Sequence, residues 1–284
     1  MTAVELIVVP YDSARREARM GRGPNALLGA GLVDRLAASG VSATVHEVAS
    51  VGDFASEVAT AFEHHRAVAE SVRAAAAAGR RPVTLSGNCN TGVIGSLMAS
   101  PADDLGLIWF DAHSDAETPE SSTSGFLDGM GLAMVLGRCW RSMLAKCGYS
   151  PVDGARIALV GAREISDSAG RLLQECGVSV VPPEQARCGI ADAIDQLQGA
   201  GVRRLHVHVD LDVLDVDKVG PANSYALPGG LTAQELLRAL EQATGRFALA
   251  SASIASFDPE VDRSGAVAQA GLEVAALLAR APSG

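Results

Sequence analysis

Short apolar runs alternate with longer amphipathic segments along this chain. Runs rich in Val, Ile and Leu occur at 4–9, 43–48, 82–86, 105–110, 156–161, 178–181, 204–209 and 252–257. Their near-continuous apolar character suits strands buried on both faces of a parallel sheet, and the Ala/Leu/Glu/Arg-rich stretches between them are long enough for crossover helices. Ala55 to Ala78 reads as a strong helix ended by Gly79, the alanine run 74–78 being its close-packed end. Thr232-Ala-Gln-Glu235 reads as a capping box opening another helix. The pattern predicts an α/β fold, a central and mainly parallel sheet covered by helices. Nothing in the composition marks a linker, so one domain over residues 1–284 is expected.

Composition narrows the partners. At 284 residues, 48% hydrophobic and 20% charged, the chain can bury one large core. A net charge of -10, with no basic run, argues against nucleic acid or an anionic membrane surface as the main partner. The first ten residues carry an acid within their apolar run and lack a basic leader, so they read as a strand; no stretch approaches the length of a membrane span. The five cysteines, Cys89, Cys139, Cys147, Cys176 and Cys188, form no C-x-x-C pair, which fits a reduced, cytoplasmic setting. The four other than Cys89 are expected to pack as small hydrophobes.

In open parallel sheets ligands bind beyond the carboxyl ends of the strands. Three such junctions are rich in metal-binding side chains. Run 105–110 is followed by Asp111-Ala-His113-Ser-Asp115, run 204–209 by Asp210-Leu-Asp212-Val-Leu-Asp215, and run 82–86 by Gly87-Asn88-Cys89-Asn90. In extended backbone, alternate residues point to one side, so Asp111, His113 and Asp115 converge, as do Asp210 and Asp212. Capping and turn formation account for lone acids such as Asp215 or Asp217. They do not account for a crowd of carboxylates without countercharge, which repel unless cations are present. An oxygen-rich set with a single imidazole suits two Mn²⁺ or other hard divalent ions. Such ions, ~3.5–4 Å apart, share a water and lower its pKa towards neutrality.

These residues resemble the ureohydrolase family of arginases and agmatinases. Asp111-Ala-His-Ser-Asp115 looks like its D-A-H-x-D motif and Asp210-Leu-Asp-Val-Leu-Asp215 like its D-x-D-x-x-D motif. Gly21-Arg-Gly-Pro-Asn-Ala-Leu-Leu28, Thr118-Pro119, Gly229-Gly-Leu-Thr232 and Asp258-Pro-Glu-Val-Asp262 match in the family's order, so the likeness spans nearly the whole chain. The resemblance implies a three-layer α-β-α sandwich, a binuclear manganese centre held by Cys89, Asp111, His113, Asp115, Asp210 and Asp212, and hydrolysis of a small guanidino compound. It also implies a homo-trimer or homo-hexamer.

Several positions depart from the family pattern. Ser86-Gly-Asn-Cys89 stands where most members have G-G-D-H with a metal-binding His; Cys89 either ligates as a thiolate or merely packs. The Gly-Asn-Cys triplet resembles the family's N-omega-hydroxy-L-arginine amidinohydrolase branch of D-cycloserine biosynthesis. Asp128 replaces a proton-handling His and either moves protons or caps the next helix. Ser256 falls where a guanidinium-binding Glu belongs, unless the match slides to Glu260. Glu117 replaces a substrate-binding Asn, and Glu164, Ser124 and Ser224 line the substrate end by position.

Weaker signals complete the reading. His64-His65 is expected on a solvated helix face, and His206 and His208 at half-buried support positions along one strand face. Gly92 and Gly95 after Cys89 resemble a helix start rather than a phosphate site. The expected function is metal-dependent cleavage of a C–N bond in an arginine-like or N-hydroxyarginine-like guanidine by a metal-bridging hydroxide, with Asp115 orienting water and Asp128 passing a proton. The alternatives are a metal-poor regulatory or binding protein of the same fold, and a hydrolase of formimino or other amidine substrates.

Overall fold

The computed structural model of the chain describes residues 2–48 and 56–282. Eight strands make one sheet: β1 (Thr2–Val9), β2 (Val41–Glu47), β3 (Arg81–Ser86), β4 (Leu105–Phe110), β5 (Ile157–Val160), β6 (Ser179–Val181), β7 (Arg204–Asp210) and β8 (Ala248–Ala255). Their spatial order is β2-β1-β3-β8-β7-β4-β5-β6, and every neighbouring pair is parallel. Parallel pairing forces a crossover between strands, and the crossovers place helices on both faces.

Alternation along the strands divides the interior into two apolar layers. Leu105, Leu107 and Trp109 of β4 pack with α1 (Glu57–Ala77), α2 (Cys89–Ala99) and α3 (Asp167–Cys176). Ile108 and Phe110 of the same strand face α4 (Ala233–Thr244) and α5 (Ala266–Arg280). The result is a three-layer sandwich, as the pattern of apolar runs predicts. Each fully buried Leu, Ile or Phe in these layers contributes roughly 1.5–3 kcal/mol of transfer free energy.

All eight apolar runs are strands, with small shifts of boundary. The largest shift is in the last run: β8 begins at Ala248 and ends at Ala255, because Ser256 turns to φ 63 and leaves the extended region. The predicted helix 55–78 appears as α1, whose N-cap Ser56 accepts a hydrogen bond from the amide of Ala59; Ala55 lies outside the described residues. Gly79 follows at φ 69, a left-handed position that glycine occupies without strain. The capping box at Thr232 and Glu235 is formed, each side chain bonding the other's backbone.

Two expectations are corrected. His64 and His65 are buried at 2% and 0% exposure rather than solvated. Helix α1 presents them inward: the His64 ring lies 4.3 Å from Tyr11, and His65 Nε2 bonds Asn90 Oδ1 of α2 at 2.8 Å. Of the four cysteines expected to pack, Cys139 is buried, and Cys147 and Cys176 pack against the same apolar layer while partly exposed beside Arg66 and Arg138; Cys188 is exposed instead.

The sheet order decides where the polar junctions go. Strands β3, β8, β7 and β4 are consecutive neighbours, so the residues following their carboxyl ends meet above the middle of the sheet. The turn after β3 is also pressed against the chain after β1. A Cβ on Gly87 would lie 2.8 Å from the Gly21 Cα and closer still to the Tyr11 carbonyl, so only glycine fits there.

Candidate metal centre

The four central strand ends supply the site in spatial order. Cys89 follows β3, Ser256 follows β8, Asp210 closes β7 with Asp212 just beyond, and Asp111 follows β4 with His113 and Asp115 after it. The ligand atoms of Cys89, Asp111 and Asp115 lie within 4.8 Å of one another, and so do those of Asp111, His113 and Asp212. Asp111 belongs to both sets, which is the arrangement two neighbouring cations need. Asp210 joins them: its Oδ2 lies 2.9 Å from Cys89 Sγ, and its Oδ1 accepts the amide of Asp212 at 2.8 Å.

Backbone and neighbours hold these groups in place. Asp111 accepts from Trp109 Nε1 at 2.8 Å and from the amide of His113 at 2.7 Å. Asp212 accepts from the amide of Ala112 at 3.2 Å and from Asn223 Nδ2 at 3.2 Å. Asn223 Nδ2 also reaches the carbonyl of Ser256 at 2.9 Å, so one amide ties the β7 and β8 ends together. Asp115 and Ser256 both have left-handed backbone, φ 46 and φ 63. Strain of about 1–3 kcal/mol at a non-glycine residue persists where the surroundings over-determine it, and it collects at functional sites.

The electrostatics show how the crowded acids act on one another. Burial, then the charge of Asp212, raises the Asp111 carboxyl. Burial together with Asp111 and Asp128 lifts Asp115 well above the carboxylate range, and burial with Asp212 and Asp111 does the same to Asp210. The Cys89 thiol is held far up by burial and Asp210. Burial alone would lower His113, but hydrogen bonds to Asp111 and Asp212 outweigh it and push the imidazole up to about 12. Without countercharge Asp115, Asp210 and Cys89 keep their protons, while Asp212, held down to about 2, despite burial, by its hydrogen bond to His113, stays ionised. Divalent ions remove that deficit and leave carboxylates, imidazole and thiolate as ligands, so the donor set fits a metal pair.

Asp128 departs from the expectation that it caps the helix that follows it. It caps a helix, but not the next one: its Oδ2 accepts from the Cys89 amide and Asn88 Nδ2, both at 3.0 Å, and its Oδ1 from the amide and side chain of Asn90 at 2.9 and 2.8 Å. The N-cap of α2, Asn88, offers no side-chain cap of its own, so Asp128 closes that helix start and fixes Cys89. Burial outweighs these bonds and sets the Asp128 carboxyl at about 6.

A cleft of about 690 Å³ opens over the cluster. His113, Asp115, Asp210 and Asp212 line its floor, and Glu117, Ser124, Asp128, Glu164, Ser224 and Ser256 its walls. Glu164 Oε2 lies 3.5 Å from His113 Nε2. Glu260 is not brought here: its mostly exposed side chain pairs with Arg22 and borders a separate cleft beside Pro221. Sliding the alignment to Glu260 therefore fails on geometry, because the chain has turned away after Ser256. Asp215 is the turn former expected, accepting from the amides of Asp217 and Gly229 at 3.0 and 3.3 Å.

Sequence reasoning missed several contributors. Asn223, Ser166 and Tyr225 line the cleft from loops whose local sequence carries no periodic signal. Tyr225 stacks on Phe126 at the mouth, centroids 5.6 Å apart. His206 and His208 are fully rather than half buried; His206 Nδ1 and His208 Nδ1 contact the Ser251 and Ser253 hydroxyls, each at 2.7 Å, and the His208 ring lies 4.5 Å from Trp109. Arg163 is the least visible from sequence. Its guanidinium reaches six backbone carbonyls, those of Gly161, Asp212, Val213, Leu214, Leu227 and Pro228.

Comparison with known proteins gives a consistent result. The model of the arginase family matches residues 2–280. The arginase of Bacillus caldovelox is 28% identical over 92% of this chain and 93% of its own length, and that of Bacillus subtilis (strain 168) is 25% identical over 95% of each. The solved structure of the Bacillus caldovelox arginase superimposes with a TM-score of 0.86 at 25% identity, covering 99% of both chains.

Proposed function

Since the chain belongs to the arginase family, we propose that it is a metal-dependent hydrolase that cleaves a C–N bond of a small guanidino compound. The observation that carries this reading is the pair of ligand sets, Cys89-Asp111-Asp115 and Asp111-His113-Asp212, sharing one carboxylate at the floor of an open cleft. Two Mn²⁺ ions suit the set, held by Cys89, Asp111, His113, Asp115, Asp210 and Asp212. When bound, they supply Lewis acidity and a hydroxide nucleophile near neutral pH.

The chain's own residues do the rest. Asp115, strained and facing the cleft, orients the nucleophile. Asp128 holds the Cys89 backbone at the start of α2 and, with its carboxyl near 6, faces the cleft as the group that can hand a proton to the leaving amine. Ser256 presents a hydroxyl 3.2 Å from Cys89 Sγ, where a fully charged guanidinium would call for a carboxylate. A hydroxyguanidine is less basic and carries a hydroxyl of its own. The Gly87-Asn88-Cys89 triplet and Ser256 together support an N-hydroxyarginine-like substrate over arginine itself.

The single continuous sheet supports one hydrolase domain over residues 1–284. Among the described residues no helix is long and apolar enough to cross a membrane. A homo-trimer or homo-hexamer is carried over from the family resemblance and a cytoplasmic setting from the cysteine pattern, and light scattering tests the assembly.

The decisive experiment is elemental analysis of the manganese-loaded protein and of Cys89→Ala, alongside hydrolysis assays on arginine, N-hydroxyarginine and a formimino compound. Two ions in the parent, about one in the variant, and chelator-sensitive release of a urea or hydroxyurea support the proposal. A protein that binds no metal, or that stays fully active in chelator, overturns it and leaves a binding protein of arginase fold. Turnover of the formimino compound alone would move the substrate class to amidines.

A further inference from the structure

Glu117 lines the cleft, and its carboxylate has no cationic partner among the described residues. It is nevertheless held firmly: Ser166 Oγ donates to Oε1 at 2.5 Å, and Ser121 Oγ donates to Oε2. Both serines are themselves fixed, Ser166 by capping α3 at the amide of Ala169 and Ser121 by the amide of Thr118. A carboxylate oriented by two hydroxyls, with lone pairs left over and no countercharge, is preorganised to receive a positive group from the cleft.

The cleft walls offer a negative group hydroxyls and an amide but no cation. None of the side chains lining it is Lys or Arg. Arg19, which reaches the Tyr225 hydroxyl on the rim at 3.3 Å, commits its guanidinium to Asp12 at 2.9 Å and Ser13 at 3.1 Å. Arg163 faces backbone carbonyls. Two dications on the floor would offset Asp111, Asp115, Asp210 and Asp212, yet Glu117 and Glu164 would still leave the walls negative. Glu117 is only two residues beyond Asp115, so their Cα atoms are at most about 7 Å apart. A guanidine seated on the floor therefore brings the far end of a short alkyl chain beside it. The stacked Phe126 and Tyr225 rings line the same mouth and give that chain an apolar surface.

We propose that Glu117, held by Ser121 and Ser166, is a specificity-determining residue that selects guanidino compounds whose far end carries a protonated amine. The proposal rests on the hydrolase reading for the seating of the head group. Its test uses calorimetric binding to the manganese-loaded protein, so that it is read apart from turnover. Three probes of matched length serve: butylguanidine, 4-aminobutylguanidine and 5-guanidinopentanoate.

The amine is expected to bind at least tenfold more tightly than butylguanidine, and the carboxylate more weakly than butylguanidine. Glu117→Gln should erase the amine's advantage while leaving butylguanidine affinity within about twofold, and Glu117→Asp should restore part of it. Parent affinities within threefold of one another, or an amine preference that survives Glu117→Gln, would overturn the assignment. If neither the probes nor N-hydroxyarginine is hydrolysed yet the amine binds through Glu117, the hydrolase reading falls and this proposal stands. If all three are hydrolysed with similar KM, the hydrolase reading stands and this proposal falls.

Discussion

Replacing Arg163 by Ala should cost stability and activity together, although its guanidinium faces away from the reacting groups. The side chain joins two loops: carbonyls of Asp212, Val213 and Leu214 on the metal-bearing loop, and those of Leu227 and Pro228 on the loop that lines the cleft. A guanidinium has five N–H donors, so the six contacts cannot all be full bonds, and those to Leu214 and Val213 are long at 3.3 and 3.4 Å. Four good bonds at about 1 kcal/mol net each suggest a loss near 4 kcal/mol. The site is half buried, so water will recover part of that, and roughly 3–5 kcal/mol brackets the effect with the unpaired carbonyls included. For a chain of this size that corresponds to a fall of about 5–8 °C in Tm. Arg163→Lys keeps the charge but loses the fork, and should regain no more than half. Thermal denaturation of the metal-loaded proteins measures the first effect. The kcat/KM on the best substrate measures the second, expected to fall at least 100-fold as the two loops part. A variant within 1 °C of the parent, or one that melts early while retaining full kcat/KM, would refute the claim that Arg163 positions the site.

Three further outcomes follow from other parts of the molecule. Burial lowers His64 and His65 to about 4 and His206 to about 3, so each resists charging in the fold; their contribution is complete above the unfolded value near 6.5 and is lost as pH falls below it, by about 1.4 kcal/mol per unit each. Because the raised carboxylates of the apo site act in the opposite sense, the comparison is parent against His64→Phe, whose Tm should fall less steeply between pH 7 and 5; parallel curves would contradict it. Gly87→Ala should cost about 3 kcal/mol or more in urea denaturation, since its Cβ meets the backbone of Tyr11 and Gly21, whereas Gly29→Ala, with nothing within 4 Å, should be neutral or slightly stabilising. Manganese at 100 times its Kd should stabilise the chelated protein by about 2.7 kcal/mol, roughly 4–5 °C, and Cys89→Ala should shrink that rise; no shift on adding metal would count against the metal centre.

Much of this protein is legible without coordinates. Strands buried on both faces must be nearly all apolar, so the eight runs announce themselves and, with the helices between them, imply a covered parallel sheet. Asp111, His113, Asp115, Asp210 and Asp212 are legible for a related reason: they stand at or just beyond strand ends, where ligands of a parallel sheet collect, although Asp115 lies in left-handed backbone and Asp212 in a 3-10 turn rather than in extended chain. What sequence could not decide is which strand ends become neighbours. The order β3-β8-β7-β4 brings Cys89 against Asp210 and Ser256, residues more than 100 positions away. The same long-range packing turns His64 and His65 inward, swings Glu260 out to Arg22, and sets Asp128 over the amides of a helix that begins 39 residues earlier. Local propensity and periodicity act over a few residues, whereas these placements depend on the order in which crossovers stack the strands. The chemistry of the site is therefore written locally, but the partners of each group are set by topology.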